Sequence, residues 1–78
     1  LFDDRFDIMQ QRIIGGTHAK MTLRPVGSQQ IFEAIAFNQS EQLPADDRAT
    51  IHAAYRLDIN LYRGDRHLQL LIEYFQVI

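Results

Sequence analysis

The stretch that decides the fold is "ATIHAAYRLDINLYRGDRHLQLLIEYFQVI", Ala49 to Ile78. In its first half Ile51, Ala53, Tyr55, Leu57 and Ile59 alternate with His52, Ala54, Arg56, Asp58 and Asn60. Period two with one apolar face is the pattern of a half-buried strand. Its second half, from Leu68 onward, is apolar at both parities. That suits a strand covered on two sides or docked on a neighbouring domain. Between the halves stand Tyr62, Arg63, Gly64, Asp65 and Arg66. Gly64 followed by Asp65 predicts a tight type II′ hairpin turn with the tyrosine and the arginines on its flanks.

Three more strands lie upstream. Phe2, Phe6 and Ile8 share one parity and open a first strand running toward Ile14. Its alternation blurs past Met9, and "IIGG" predicts a bulge or sharp bend. In "HAKMTLR", Ala19, Met21 and Leu23 face one way and His18, Lys20, Thr22 and Arg24 the other. After the turn "PVGS", a third strand "QIFEAIAF" is apolar on both faces apart from Glu33, so pattern alone leaves its inward parity undecided. "NQSEQLPADDR" is polar, contains Pro44, and reads as a connection able to hold one helical turn. Five strands without sustained helical periodicity predict an all-β fold, a small five-stranded barrel with a short loop or helical turn between strands 3 and 4.

With 78 residues the chain forms one domain, 1–78, and 46% apolar residues suit a compact fold. No apolar run reaches the ~20 residues of a membrane helix, so no membrane partner is expected. Cysteine is absent, which excludes a disulfide framework and fits a reducing, cytoplasmic setting. A start at Leu1 suggests a piece of a longer protein. The net charge of −2 argues against a high-affinity, stand-alone nucleic-acid binder. Its distribution is uneven. From Ile8 to Phe32 there is no carboxylate, while Arg12, His18, Lys20 and Arg24 fall inside that window; acids collect at Asp3, Asp4 and Asp7 and at Glu41, Asp46 and Asp47. A domain with one basic and one acidic side is expected.

Catalytic readings fail on spacing. His18, His52 and His67 lack metal-ligand offsets. Asp46 and Asp47 are adjacent in a loop beside Pro44, which suits a solvated turn or cap better than an acid/base pair. Ser28 and Ser40 lack nucleophile-elbow surroundings. "GGTHAK" lacks the Gly-Lys-Ser/Thr ending of a phosphate loop and leads into a strand. No catalytic residue and no metal ligand is assigned.

Binding readings do better. Lys20, Thr22 and Arg24 sit about 7 Å apart along one strand face, a spacing suited to an extended phosphate chain, although a solvated outer face gives the same pattern. A tyrosine beside guanidinium groups at Tyr62, Arg63 and Arg66 offers stacking and charge, as sequence-tolerant single-strand binding requires. The alternative is a tyrosine packed over the barrel end with its arginines ion-paired. In five-stranded barrels of this type the ligand face comprises strands 2 and 3 with the loops after strands 1 and 4. Both signals fall there.

With those residues in view, the chain resembles the OB-fold domain of the bacterial RecJ exonucleases. The resemblance rests on "FDIMQQRIIGGTHAKMTLR", "EAIAFN" and above all "YRLDINLYRGDRHLQLLIE", which together span nearly the whole chain. It implies an accessory domain of a single-strand-specific 5′–3′ DNA exonuclease of repair and recombination. The cleaving DHH-type core, with its manganese or magnesium, contributes no motif to these residues. It also implies DNA-binding roles for His18 and Lys20, for Arg24, and for Tyr62, Arg63 and Arg66. The expected partners are single-stranded DNA and the rest of the parent nuclease. Two other roles stay open: an interaction module for the acidic tail of a single-stranded DNA-binding protein, and a structural barrel positioning the catalytic lobes.

Overall fold

The computed structural model describes residues 1–46 and 48–78, with Tyr62 described through its backbone. Asp47 and the Tyr62 side chain lie outside the described residues. Five strands, β1 (Phe2–Ile14), β2 (His18–Pro25), β3 (Phe32–Ala36), β4 (Thr50–Tyr62) and β5 (Asp65–Val77), close into a barrel in the order β1-β2-β3-β5-β4. All contacts between neighbours are antiparallel except β3 with β5. One 3-10 turn, Ser40–Gln42, stands in the β3–β4 connection. This is the small five-stranded barrel expected from the strand count, and it is consistent with the OB fold that the resemblance implies.

The barrel closes because its inward positions are filled to size. Phe6, Met21, Leu23, Ile51 and Leu70 are the largest fully buried side chains, and Ala19, Ala34, Ala36 and Ala53 leave room for them. Such tight packing makes volume loss costly. Two bulges bend the long strands. Ile8 pairs with Leu23 but Gln10 pairs with Thr22, so Met9 is the extra residue in β1 and is turned out to the surface. On β5, Ala54 pairs with Tyr74 while Tyr55 pairs with Ile72, leaving Glu73 as the extra residue. The Gln39 amide donates to the carbonyls of Ile72 and Glu73 at 3.2 and 3.3 Å, satisfying groups the bulge frees from the ladder.

That second bulge explains the two-sided last strand. Leu70 and Ile72 point inward before it and Phe75 after it, so both sequence parities contribute to one core. The third strand is resolved too. Ala34 and Ala36 face inward, whereas Ile35 faces out, 7% exposed yet outside the core cluster. The hairpin turn differs from the type II′ reading. Tyr62 pairs with Asp65, so Arg63 and Gly64 are the central residues, with φ of 52° and 83°. Positive φ at both defines a type I′ turn, and Asp65 already belongs to the strand.

Candidate nucleic-acid interface

Because Ala19, Met21 and Leu23 are in the core, β2 turns His18, Lys20, Thr22 and Arg24 outward. Register builds a surface from them. Arg12 pairs with Lys20 and Lys20 with Ile35, giving one row; Gln10, Thr22 and Glu33 give the next. A groove of about 440 Å³ runs over these strands, with Met9, Gln10, Arg12, Lys20, Thr22 and Glu33 among its walls. The bulge at Met9 puts a flexible thioether at the groove's edge.

The acid-free window of the sequence is not an acid-free surface. Glu33, one residue beyond the window, lies 3.7 Å from the Lys20 ammonium and accepts a hydrogen bond from Thr22 at 3.4 Å. Asp7 reaches Arg24 at 3.3 Å and accepts from the Thr50 hydroxyl at 2.7 Å. Those two contacts, Thr50 first, hold the Asp7 carboxyl below the usual carboxylate range. All three stripe residues therefore face carboxylates, and the expected single basic side is a mixed one. The other amino-terminal acids are engaged elsewhere. Asp3 contacts His52, and Asp4 accepts from the Tyr55 hydroxyl at 2.5 Å. Burial, aided by Asp4, pushes that phenol up to about 12.

Arg12 is the site residue that strand-face reasoning left out. It lies in the same window, but β1 loses its alternation at the bulge, which hides the face Arg12 occupies. It stands directly across from Lys20, exposed, and among the described residues makes no ion pair. Like charges opposite one another on paired strands are unfavourable. Glu33 offsets this for Lys20, while Arg12 is left facing solvent. Among the described residues no group of three or more His, Asp or Glu could hold a metal ion.

His18 occupies the other end of β2. Its Nδ1 accepts a hydrogen bond from the Asn38 N–H at 3.0 Å, and its ring meets that of Phe37 edge-on at 5.2 Å and 80°. Gly15 leaves space for it, since a Cβ there would come within 3.3 Å of the imidazole.

The β4–β5 hairpin carries the remaining candidates. Asp65, His67 and Gln69 share the face continuous with Glu33, because Gln69 is the register partner of Glu33. Arg66 pairs with Leu61, on the opposite ribbon face, which also carries Leu57, Ile59 and Leu68. Arg63 is exposed at the tip. The tip lies beyond the Arg24 end of β2. From Leu71, in the Lys20 row, to Asp65 is six residues of β5, about 20 Å by strand rise. His18 and Lys20 thus sit at one end of the face and the Arg63 tip lies beyond the other, with Arg24 between, while Arg66 is on the opposite ribbon face.

Residues 1–74 match the sequence model of a family described as the RecJ OB domain. Proteins named single-stranded-DNA-specific exonuclease RecJ from Escherichia coli (strain K12) and Salmonella typhimurium are 42% identical over 74 residues, 94% of this chain and 13% of theirs. The protein of that name from Haemophilus influenzae is 42% identical over 80 residues, 99% of this chain and 14% of its own. The chain thus spans about an eighth of the length of these relatives. No solved structure matches it.

Proposed function

This chain belongs to the RecJ OB-domain family, and from that premise we propose that it is a weak single-stranded-DNA-binding accessory domain of a 5′–3′ single-strand exonuclease acting in repair and recombination. The observation that carries this reading is the Arg12–Lys20 pair on the groove wall, two cations opposed across β1 and β2. A phosphate chain relieves their repulsion, and the groove offers it a track. Arg24 and the hairpin tip extend the track. Arg63 adds to the case, since its left-handed backbone, φ 52°, costs a non-glycine residue about 1 kcal/mol or more. The fold keeps a guanidinium where asparagine or glycine is the easier choice. Binding is weak because Glu33 and Asp7 oppose it, so tethering to the rest of the nuclease provides the effective concentration. In this reading the cleavage chemistry and its manganese or magnesium belong to other parts of a cytoplasmic polypeptide.

Fluorescence anisotropy with a labelled oligonucleotide tests it. Two or three phosphate contacts predict a log-log salt slope of roughly −1.4 to −2.1. Tyr62→Ala should weaken binding by about 1–3 kcal/mol if that ring stacks on a base. A flat salt response together with a silent Tyr62→Ala variant refutes the proposal. An acidic peptide carrying the tail sequence of a single-stranded DNA-binding protein would meet the same cations and is the natural competitor.

A second reading, a barrel that positions other lobes, is favoured by the hairpin's apolar face. Leu57, Ile59 and Leu61 are 51, 60 and 73% exposed on one side of a ribbon that projects past β3. Contiguous exposed apolar surface of this kind marks a contact site. It lies opposite the face continuous with Glu33, so both roles can coexist.

A further inference from the structure

We infer that Phe37 is a stacking seat for one nucleobase, held in place by His18; this rests on the single-strand reading of the same face. Phe37 immediately follows β3, is 54% exposed, and takes no part in the core cluster. An exposed aromatic alone is ordinary. What distinguishes this one is that its neighbour is fixed from three sides. The His18 ring is hydrogen-bonded through Nδ1 to the Asn38 N–H, meets Phe37 edge-on, and lies over the bare Cα of Gly15. Asn38 itself is left-handed, φ 59°, so the chain turns sharply just after this amide. The exit from β3 thus sets an amide on the histidine, with the exposed phenyl ring beside it.

Position supplies the rest. The next outward residue on β2 after His18 is Lys20, about 7 Å along the strand and opposite Arg12. A base on Phe37 therefore sets its neighbouring phosphate toward the two cations of the groove. A ring already braced loses little rotamer freedom on binding, so stacking keeps most of its intrinsic strength. Sequence preference should be slight, since every base has a π face.

The test uses the 78-residue chain with three labelled probes of equal length: an oligothymidylate, a fully abasic strand with the same phosphates, and an oligothymidylate carrying one 2-aminopurine. The wild-type chain should bind the base-bearing strand more tightly than the abasic one and quench 2-aminopurine fluorescence. Phe37→Leu should lower affinity for oligothymidylate on the order of 5- to 150-fold, leave abasic binding unchanged, and lose the quenching. His18→Ala, which frees the ring, should give a partial loss of the same kind. Wild-type binding with a silent Phe37→Leu, or an equal loss on both strands, overturns the stacking seat while the single-strand reading stands. No binding of either strand by the wild type overturns both.

Discussion

Replacing Glu33 by Gln should make the domain bind single-stranded DNA more tightly. Glu33 is 3.7 Å from the Lys20 ammonium, and a phosphate oxygen seated on that ammonium would lie about 6 Å from the carboxylate. Two unit charges at that distance repel by about 0.7 kcal/mol in water and by more at a lower effective dielectric. Screening at physiological salt trims this, so the gain should be about 1 kcal/mol, close to fivefold in affinity. Lys20 also becomes fully available to a phosphate, so the log-log salt slope should steepen by roughly 0.7. Stability should move by less than about 0.5 kcal/mol, because the carboxylate is mostly exposed and glutamine still offers Thr22 an acceptor. Anisotropy titrations of both proteins at several salt concentrations measure this. Glu41→Gln, on the 3-10 turn, makes the same charge change away from the groove and should have little effect. An unaltered affinity and slope for Glu33→Gln, or an equal gain from Glu41→Gln, would refute the placement of the strand beside Lys20.

The core and the paired acids give three further tests. Phe6 is 1% exposed in the barrel core, and Phe6→Ala should cost about 3–5 kcal/mol. That approaches the whole stability of a domain this small, so urea titration should show a largely or fully unfolded variant. The Tyr55 phenol is raised from 10 to about 12, by burial first and Asp4 second. A raised folded-state value means its contribution is complete below pH 10 and is lost between 10 and about 12. The two-unit difference corresponds to roughly 2–3 kcal/mol. Stability against pH should fall over that window in the wild type and be flatter in Tyr55→Phe, with absorbance near 295 nm tracking the phenolate. Asp7 is held low, by Thr50 first and then Arg24, so its contribution is present above the ordinary carboxylate value and lost as pH falls through the folded one. Asp7→Asn should remove that part of the acid-side slope, read as denaturant midpoints across acidic pH.

The legible parts of the fold were those where one strand face meets the core and the other meets water. Ala19, Met21 and Leu23 against Lys20, Thr22 and Arg24 is such a case, and β2 could be oriented from pattern alone. β3 could not, because Ile35 is covered on the outer face and hydrophobicity stops reporting direction there. β5 looked two-sided because Glu73 is an inserted residue that reverses parity between Ile72 and Phe75. A bulge leaves no compositional mark. The candidate site was legible as residue types and less so as electrostatics. Glu33 and Asp7 are distant from Lys20 and Arg24 in sequence order, and only the register brings them onto the same face. Arg12 was hidden by the Met9 bulge, and Phe37 by a left-handed exit from β3 that no local pattern announces.

The most direct measurement is a nitrogen-15 NMR titration of the domain with a short oligothymidylate. Amide shifts should concentrate at Arg12, His18, Lys20, Thr22 and Phe37, and extend more weakly through Arg24 toward Arg63. Shifts confined to the Asp3, Asp4 and His52 side of the barrel, with the groove silent, would contradict this placement of the DNA.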